Sequence, residues 1–424
     1  MTAETLVDAL NRSCHCISVD QGALQQTLEA GFGASGTFSR FQQTHPHLFA
    51  DSPVFVSREQ IEQMKAVITA INHVVGLERY REMVLQWVPG LAATSPGPKG
   101  VFFGYDFHLT NDGPKLIEVN TNAGGALLLL HVASAQKACC SEVENFVTGR
   151  LDAADLELEF VDMFRKELHA QIPGNTLRCV GIVDENPTEQ YLGPELVLFQ
   201  EMFLRHGIDA VIAGPEQFEI RGSRLHAQGK DIDLVYNRLT DFYLQTESCS
   251  TLSDAYKSGI AVFTPNPHTH AIFANKRNLT ILSDATCLRE LGANSQSIRI
   301  LESSVPKTRL VTRDNADDLW TRRRQLFFKP NWGYGSRGTY KGAKLTKKTW
   351  ASILAADYIA QELVLPSERL VVIDGSQRSM KLDVRCYVYD GEIQLLGARM
   401  YRGQTTNFRT DGGGLAAVFT APEI

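Results

Sequence analysis

The stretch from Phe102 to Gly125, FFGYDFHLTNDGPKLIEVNTNAGG, constrains the fold of this chain more than any other. It predicts two strands joined by a turn at Asn111-Asp112-Gly113-Pro114, because these residues supply the positive φ and the fixed φ that tight turns need. Asp106 lies on the first strand. Glu118 and Asn120 lie on the second strand, and they point to the same face because side chains alternate along a strand.

A hairpin brings Asp106 beside Glu118 and Asn120, so two carboxylates and an amide oxygen are expected to converge at the sheet surface. Such a cluster, which contains only oxygen ligands, suits a hard cation, and Mg²⁺ before Zn²⁺. The alternative interpretation of this stretch, taken alone, is an acidic hairpin that faces solvent and binds no metal.

A second stretch, Phe327 to Gly338 (FFKPNWGYGSRG), favours phosphate binding. Lys329 ends an apolar strand, and a basic loop rich in glycine follows. Glycine lets backbone N–H groups approach an anion, while lysine and arginine add positive charge. The loop matches G-x-G-x-x-G, but a dinucleotide fingerprint follows the first strand of a βαβ unit and opens a helix. We therefore expect a flap between two strands that covers a triphosphate, with a hairpin that binds no ligand as the alternative.

Length and composition limit the classes of protein to consider. The chain has 424 residues, which at about 150 per domain predicts two or three domains. Its net charge of −6 argues against nucleic acid or an anionic membrane as the main partner. We find neither an apolar run of bilayer length nor a signal-peptide pattern at the N-terminus. The eight scattered cysteines are typical of reduced thiols, so a cytoplasmic location is expected.

The middle of the chain predicts helices and a second type of sheet. Ser57 and Gln60 form a capping box before an amphipathic helix, and an alanine-rich helix is expected from Ala126 to Val147. Between Arg178 and Arg238, short buried strands alternate with a helix, which predicts a small parallel, Rossmann-like unit. Its first turn has no G-x-G-x-x-G, so we do not expect it to bind a dinucleotide.

Polar residues follow the strands of this parallel unit. Ligands bind at the carboxyl ends of parallel strands, so Asp184, Arg238 and Asp241 are candidate substrate contacts. The alternative is that they are ordinary polar residues at loop ends. Further along, Lys276 is a candidate second phosphate lysine or a solvated residue at a helix start. From residue 359 onward, alternation and the Asp390-Gly391 turn predict an antiparallel sheet.

Taken together, these residues resemble the ATP-grasp superfamily of carboxylate–amine ligases. Lys329-Pro330 and the loop after them look like the second lysine and the phosphate loop of that family, and Lys276 lies where its first nucleotide lysine is found. The strand Gln361-Glu362-Leu363-Val364 looks like the one that holds adenine and ribose. Asp383-Val384-Arg385, Arg399 and Asn407 are similar to a run in ribosomal-protein glutamate ligases whose arginines meet phosphate and the acyl intermediate.

The order of these motifs resembles the circularly permuted branch of the superfamily, which includes glutathionylspermidine synthetase. The Glu-x-Asn strand comes last in ordinary members and first here, and the Asp–Glu–Asn spacing of 12 and then 2 residues is similar to that of the synthetase. That family has an arginine two residues before the first metal aspartate, where this chain has Gly104. Either a donor to the acyl phosphate is missing here, or Arg399 covers its role.

The resemblance implies an α/β fold, an α+β ATP-grasp fold that is circularly permuted and includes a small Rossmann-like domain. The expected division of the chain is an N-terminal extension (1–56), a permuted segment with the metal hairpin (57–150), a Rossmann-like substrate domain (151–262) and the nucleotide-binding lobes (263–424). The implied activity joins a small-molecule carboxylate to an amine through an acyl phosphate and releases ADP and phosphate.

The same resemblance implies ATP and one or two Mg²⁺ ions as cofactors. The implied metal ligands are Asp106, Glu118 and Asn120, and the implied catalytic residues are Arg385 and Arg399. The residues that would bind the nucleotide are Lys276, Lys329, Gly335, Ser336, Arg337, Gly338, Gln361, Glu362, Leu363, Val364 and Asn407. Two alternatives stay open, namely a kinase-like phosphotransferase, which would leave a phosphorylated product, and a nucleotide-binding module without catalysis.

Overall fold

The computed structural model of the chain describes residues 5–33, 37–139, 143, 153–333 and 338–421. The helices are α1 (Leu6–Ser13), α2 (Gln21–Phe32), α3 (Thr37–Thr44), α4 (Arg58–Val75), α5 (Glu78–Leu85), α6 (Ala126–Ser134), α7 (Ala153–Gln171), α8 (Gly193–Arg205), α9 (Ser250–Ser258), α10 (Pro267–Thr269), α11 (Asn278–Leu282), α12 (Ala285–Leu291), α13 (Ser295–Ser304), α14 (Ala316–Arg322) and α15 (Lys347–Leu354). A π-helical turn, His270–Ala274, follows α10.

The strands are β1 (Ile17–Val19), β2 (Val54–Val56), β3 (Phe103–Thr110), β4 (Gly113–Asn120), β5 (Gln136–Ala138), β6 (Cys179–Val183), β7 (Asp209–Ala213), β8 (Phe218–Arg221), β9 (Arg224–Ala227), β10 (Lys230–Ile232), β11 (Leu234–Asn237), β12 (Val262–Thr264), β13 (Thr308–Leu310), β14 (Leu326–Pro330), β15 (Tyr340–Lys341), β16 (Tyr358–Glu362), β17 (Ser367–Ile373), β18 (Ser376–Tyr389), β19 (Glu392–Tyr401) and β20 (Gly414–Thr420).

The largest sheet joins the predicted hairpin to the C-terminal strands. Its order is β2–β20–β19–β18–β3–β4, and β17 pairs with β18 at the side. The hairpin prediction is confirmed, because β3 and β4 pair antiparallel around the turn at 111–112. Helix α4 packs its apolar side on this sheet, and the predicted capping box is present, with Ser57 and Gln60 each bonding the other's backbone.

A second sheet, β13–β16–β14–β15, is antiparallel and carries the second predicted motif. Its register decides which side chains share a face. Phe327 pairs with Gln361, and the adjacent residue of β14, Leu326, pairs with Glu362. Since successive side chains alternate, these two pairs lie on opposite faces. The sheet therefore has a face that includes Phe327, and a second face that includes Leu326 and the buried Phe328.

The third sheet confirms the predicted Rossmann-like unit. Its order is β12–β11–β6–β7, and every neighbouring pair is parallel. Helix α8 begins with proline in its first turn and ends before Gly207, whose φ is 72°. The aromatic rings of Phe102, Phe160, Phe199 and Tyr236 pack together and join this unit to the segment that precedes β3.

The alanine-rich helix is shorter than the sequence predicts. Helix α6 ends at Ser134, and β5 pairs antiparallel with β1 near the N-terminus. Gln136 Nε2 donates to Val132 O and satisfies a terminal carbonyl of the helix. Local sequence does not reveal a long-range strand partner, so the expected helix to Val147 is wrong over 136–138, and its parts at 140–142 and 144–147 lie outside the described residues.

The N-terminal residues are attached to the main sheet. Strand β2 pairs parallel with β20, and the buried guanidinium of Arg369 donates to the carbonyls of Asn11, Cys14 and Pro53. The division of the chain into four parts stays a prediction. Among the helices that the structure describes, none is long and apolar enough to span a bilayer.

Candidate active site

The largest sheet and the sheet β13–β16–β14–β15 face each other across a cleft that both predicted motifs enter. The hairpin, β18 and β19 contribute one wall, and β14 with β16 contributes the other. The lining includes Asp106, His108, Glu118, Asn120, Lys276, Phe327, Lys329, Gln361, Glu362, Leu363, Val364, Lys381, Asp383, Arg399 and Thr406. Residues from positions 106 to 406 therefore meet at one place, which we take as the candidate active site.

Asp106 is held by two arginines at the centre of this cleft. Arg385 lies opposite Asp106 across the β3–β18 pair, and its Nε and Nη2 donate to the two carboxylate oxygens at 2.6 and 2.8 Å. Arg399 Nη2 donates to Asp106 Oδ2 at 2.8 Å. Burial by itself would raise the pKa of Asp106, but the two guanidinium charges outweigh it and lower that pKa to about 2. Asp106 is therefore ionised at neutral pH.

Arg399 bridges two carboxylates. Besides Asp106, it contacts Asp383 through Nε at 2.6 Å, since Asp383 lies opposite Arg399 across the β18–β19 pair. Thr406 donates its hydroxyl to Asp383 Oδ2 at 2.6 Å. The two arginines and two aspartates form one network whose members sit on adjacent strands, so the sheet fixes their positions.

Gly104 makes room for this network. A Cβ at position 104 would lie 2.7 Å from the Cβ of Ala123 and 3.0 Å from Nε of Arg385. The glycine pairs with Asn120 across the hairpin, on the same strand face as Asp106. The guanidinium of Arg385 thus takes space that a side chain at position 104 would need. A larger side chain at position 104 would therefore compete with Arg385 for this space.

Glu118 faces the two predicted phosphate lysines. Its Oε2 lies 3.9 Å from Nζ of Lys276 and 4.0 Å from Nζ of Lys329. The hairpin register shifts after Asp106, which leaves Ile117 unpaired as a β-bulge. The carbonyl of Ile117 accepts a hydrogen bond from Lys329 Nζ at 2.8 Å. The bulge therefore positions the lysine beside the metal-type carboxylate.

The pKa values of Lys329 and Glu118 depend on burial and on the charges around them. Burial lowers the pKa of Lys329 to about 8, and although the Glu118 charge opposes this, the Lys276 charge adds to it. Burial would raise the pKa of Glu118, but the charges of Lys276 and Lys329 overcome burial and lower it. Lys276 also donates to Gly333 O at 2.7 Å, next to the glycine loop. Two ammonium groups near one carboxylate give the cleft an excess of positive charge at this point.

The three predicted metal ligands converge, and their donor set fits a hard cation. Asn120 Nδ2 lies 3.2 Å from Asp106 Oδ2 and 3.5 Å from Glu118 Oε1. With Mg²⁺ bound, the amide would present its oxygen instead, which a rotation of the side chain by 180° allows. Asp106 Oδ1 accepts one hydrogen bond and keeps a lone pair. In the part of the chain that the structure describes, no three His, Cys, Asp or Glu residues form a metal cluster.

The predicted adenine strand lines the other wall. Gln361 is buried, and its Nε2 has no hydrogen-bond partner among the described residues. Buried donors in proteins are normally hydrogen-bonded, so this Nε2 is available to a ligand in the cleft. Glu362, Leu363 and Val364 continue along the cleft, and Val364 O contacts His108 Nδ1 at 3.0 Å. This wall fits a ligand with hydrogen-bonding edges.

The remaining predicted nucleotide residues divide into three groups. Gly335, Ser336 and Arg337 lie outside the described residues. Gly338 has a φ of 67°, and its carbonyl accepts from the hydroxyl of Tyr358. Asn407 hydrogen-bonds within its own loop, to Arg402 O, Thr405 O, Arg409 N and Thr410 Oγ1. A contact of these residues with nucleotide stays a prediction.

The predicted substrate residues lie at the carboxyl edge of the parallel sheet. Burial raises the pKa of Asp184 to about 6, although the Arg238 charge opposes the rise. Arg238 is buried and directs Nη1 to Tyr236 Oη at 3.0 Å and to Glu195 Oε2 at 3.4 Å. Asp241 accepts from the backbone N–H of Thr246. The structure thus places Arg238 in a buried ion pair, and a substrate role for these three residues stays a prediction.

Sequence reasoning gave no role to several residues of the cleft, chiefly Asp383, His108 and Thr406, although Asp383 belongs to the run that resembles the glutamate ligases. Two of them carried a usable signal, because Asp383 stands two residues before Arg385 and His108 two residues after Asp106. Alternation along a strand places such residues on one face. Thr406 lies in a loop after β19, where no periodicity applies, so nothing in the sequence pointed to it.

Comparisons with known proteins support the fold. No family model matches the chain, and no curated protein matches it significantly. Among solved structures, it is similar to the glutathione synthetase-like effector GSS30 from Globodera pallida, in its apo form. The TM-score is 0.56 and the sequence identity 12%, over 95% of this chain and 98% of that one.

Two further structures match less well. A γ-glutamylcysteine synthetase-like protein from Methylobacillus flagellatus KT aligns with a TM-score of 0.47 and 12% identity, over 85% of this chain and 87% of that one. The ATP-grasp ligase PsnB, solved with a minimal precursor, Mg and ADP, has a TM-score of 0.28 and 13% identity, over 58% and 90%. The circular permutation stays a prediction. The chain has a mixed helix-and-strand fold that is similar to that of the glutathione synthetase-like effector.

Proposed function

We propose that this chain is an ATP-dependent carboxylate–amine ligase that forms an amide or peptide bond through an acyl phosphate and uses Mg²⁺. The observation that carries the proposal is the convergence of a carboxylate–amide cluster with two lysines and two arginines at a single cleft. ATP carries about four negative charges at neutral pH, and its transfer reactions depend on cations placed around the phosphates. The cationic side chains of the cleft and its carboxylate–amide cluster support this proposal.

Each group in the cleft has a role that follows from its position. Mg²⁺, held by Glu118 and Asn120 with help from Asp106, would neutralise phosphate charge. Lys276 and Lys329 stand beside Glu118, where the β- and γ-phosphates would lie. The wall at 361–364 would hold the adenosine portion, with the unpaired Nε2 of Gln361 as a donor to it.

The proposed reaction has two steps. A carboxylate oxygen of the first substrate attacks the γ-phosphorus, the bond from that phosphorus to the β–γ bridging oxygen breaks, and ADP leaves. The nitrogen lone pair of the amine then attacks the acyl carbon, the bond from that carbon to the phosphate oxygen breaks, and phosphate leaves while the amine loses a proton. Arg399 donates its N–H groups next to Asp106, at the position where charge on the acyl oxygen would develop.

The cleft must open for this chemistry. Its volume is about 170 Å³, below the roughly 300–1,000 Å³ that small-molecule sites occupy. The two walls belong to different sheets, so a hinge movement between those sheets is the simplest way to admit ATP. Closure after binding would exclude water, which matters because water hydrolyses an acyl phosphate.

The test is ADP release by the purified protein with ATP, Mg²⁺ and a panel of carboxylates, with and without amines. Hydroxylamine is added to capture an acyl phosphate as a hydroxamate. A hydroxamate formed with one carboxylate supports the ligase and identifies the donor. ADP release with a stable phosphorylated product and no hydroxamate contradicts the ligase and supports a phosphotransferase.

A variant links the activity to the cleft. Glu118→Gln keeps the size of the side chain but removes the charge that faces both lysines, so we expect kcat to fall on the order of 10²-fold. The matched control is Glu62→Gln, because Glu62 is exposed on α4 and contacts only Lys65 among its ion-pair partners in the described chain. Full turnover in the Glu118 variant would contradict the assignment.

A further inference from the structure

A groove outside the candidate active site lies on the opposite face of the sheet β13–β16–β14–β15. Its volume is about 560 Å³, which lies within the roughly 300–1,000 Å³ of small-molecule sites. The strand register separates the two cavities. Phe327 and Gln361 face the active-site cleft, while Leu326, Ala360 and Glu362 line the groove. The groove is therefore a second cavity on the other face of the same sheet, and it meets the cleft at residues 362–364.

The groove is lined by more cationic than acidic side chains. Four cations from separate elements reach it, namely Lys115 on β4, Lys307 before β13, Arg309 on β13 and Arg322 at the end of α14. The acidic side chains in the lining are Glu302 and Glu362. Segments that are distant in sequence thus bring positive charge to one cavity, and this favours an anionic ligand.

The two arginines already have acidic partners. Arg309 lies 3.4 Å from Asp318, and Arg322 lies 3.9 Å from the same carboxylate and 3.7 Å from Glu362. These ion pairs form a loose network at one end of the groove, and they leave little net charge there. The arginines alone would not select an anion.

The two lysines at the groove contact backbone carbonyls instead. Lys115 Nζ donates to Ser303 O at 2.7 Å and to Asp112 O at 3.4 Å, and Lys307 Nζ donates to Ser283 O at 3.2 Å. Both serines also line the groove. A carbonyl has no net charge, so these contacts orient the ammonium groups without neutralising them, and each ammonium has three N–H donors. Further donors remain for a ligand.

We propose that the groove is a binding site for a small organic anion that carries a phosphate or carboxylate group. The anionic group lies between Lys115 and Lys307, because their charge is the least compensated in the lining. The rest of the ligand rests on an apolar floor of Val305, Leu319 and Leu326. The residues that this site shares with the proposed nucleotide site are Glu362, Leu363 and Val364, which lie at the border of the two cavities.

The groove is connected to the predicted adenine strand by hydrogen bonds. Lys307 O accepts from Glu362 N at 2.9 Å, and Gln325 O accepts from Leu363 N at 2.8 Å. A ligand that orders Lys307 therefore acts on the backbone of the strand that lines the cleft. Its influence on nucleotide affinity rests on the proposed function, whereas the existence of the site does not.

Inorganic pyrophosphate is the probe, and isothermal titration calorimetry measures its binding. The full chain with Lys276→Met and Lys329→Met serves as the background, because the cleft then lacks its two lysines. We expect this background to bind pyrophosphate. Addition of Lys115→Ala and Lys307→Ala should weaken binding by about tenfold or more, since two charge-assisted contacts are lost. Absence of binding in the background, or unchanged affinity after the second pair of substitutions, overturns the proposal.

A charge-matched control and a second measurement accompany this titration. Lys65→Ala with Lys137→Ala removes two exposed lysines elsewhere and should leave the affinity unchanged. Hydrogen exchange of the otherwise unaltered protein should slow at 303–308 when pyrophosphate is added, and this protection should vanish with Lys115→Ala and Lys307→Ala. Protection confined to the cleft would overturn the proposal. Neither experiment depends on ligase activity, so the site and the proposed function can fail separately.

Discussion

Asp106 and Asp184 are both buried and both lie near arginine, yet their pKa values move in opposite directions. Asp106 is 2% exposed and Asp184 is 8% exposed. The pKa of Asp106 is lowered to about 2, whereas that of Asp184 is raised to about 6. Burial raises the pKa of both carboxyl groups, so the difference must come from the charges around them.

The difference lies in what each arginine contacts. Arg385 stands opposite Asp106 on the neighbouring strand and donates two hydrogen bonds to it. Arg238 lies at the carboxyl edge of the parallel sheet and directs its hydrogen bonds to Tyr236 and Glu195. An antiparallel partner thus produces a direct ion pair at Asp106, while Asp184 receives a charge that is shared with another carboxylate. An arginine therefore lowers the pKa of a buried carboxyl group below its usual value when it contacts that group directly, and not merely when it lies nearby.

The largest effect is expected from Asp106→Asn. The substitution leaves Arg385 without its carboxylate, and an uncompensated buried charge costs about 3–5 kcal/mol of unfolding free energy. It also disturbs the position of Arg399, so kcat should fall on the order of 10²-fold. Urea denaturation at pH 7 and the hydroxamate assay measure the two losses. A variant as stable as the wild type would show that the ion pairs only balance the cost of burial.

The control for this prediction is Asp411→Asn, which removes an exposed aspartate 3.3 Å from Arg378. Its expected loss is below about 1 kcal/mol, because exposed ion pairs contribute little. The pH dependence has a definite sign. The folded pKa of Asp106 is depressed from 3.8 to about 2, so its stabilisation is present above pH 3.8 and is lost as the pH falls toward 2. The difference between wild type and Asp106→Asn should shrink over that range.

A smaller effect is expected from Gly104→Ala, which alters the environment of Asp106 without removing a charge. The added Cβ would lie 2.7 Å from Ala123 and 3.0 Å from Arg385, so the guanidinium must shift. Overpacking of this kind costs about 1–3 kcal/mol. The control is Gly90→Ala, because a Cβ at Gly90 meets no atom within 4 Å. Equal stability of the two alanine variants would mean that Arg385 moves at no cost.

Much of the fold around these two aspartates could be predicted from local sequence. The hairpin, the capping box of α4 and the parallel unit depend on short-range patterns such as alternation, turn residues and capping residues, and the structure contains all three. The helix expected to reach Val147 failed because β5 pairs with β1, more than a hundred residues away. No pattern within 126–147 contains that information.

The site was predictable in its residue types and not in its contacts. Asp106, Glu118, Asn120 and the two lysines meet as expected. The sequence could not show that Arg385 is opposite Asp106, because strand register between β3 and β18 is a tertiary property. It also could not show that Glu195 binds Arg238. The opposite pKa shifts of Asp106 and Asp184 follow from these two contacts, so they are features of the fold and not of the motifs.

The smallest change in the free energy of unfolding is expected from Asp184→Asn, and it is a gain where the other substitutions cause a loss. Its folded pKa is raised from 3.8 to about 6, so ionisation of Asp184 destabilises the folded state above pH 6. Removal of the charge should therefore stabilise the protein at pH 7.5. Two pKa units correspond to about 3 kcal/mol, and since part of the carboxyl is solvated and hydrogen-bonded to Glu185 N, we expect a gain of about 1–2 kcal/mol.

The pH dependence of this gain shows whether it arises from the ionisation of Asp184. As the pH falls through 6, the folded Asp184 becomes protonated while the unfolded one stays ionised, so the gain at pH 5 should be roughly half of that at pH 7.5 and should vanish below about pH 3.8. Asp254→Asn, on the exposed surface of α9, should show neither the gain nor the pH dependence. Urea denaturation at both pH values measures it. If Asp184→Asn instead destabilises the protein, the Arg238 charge stabilises the ionised carboxylate of Asp184 by more than its burial costs. The pKa values of Asp106 and Asp184 would then both be lowered, by different amounts.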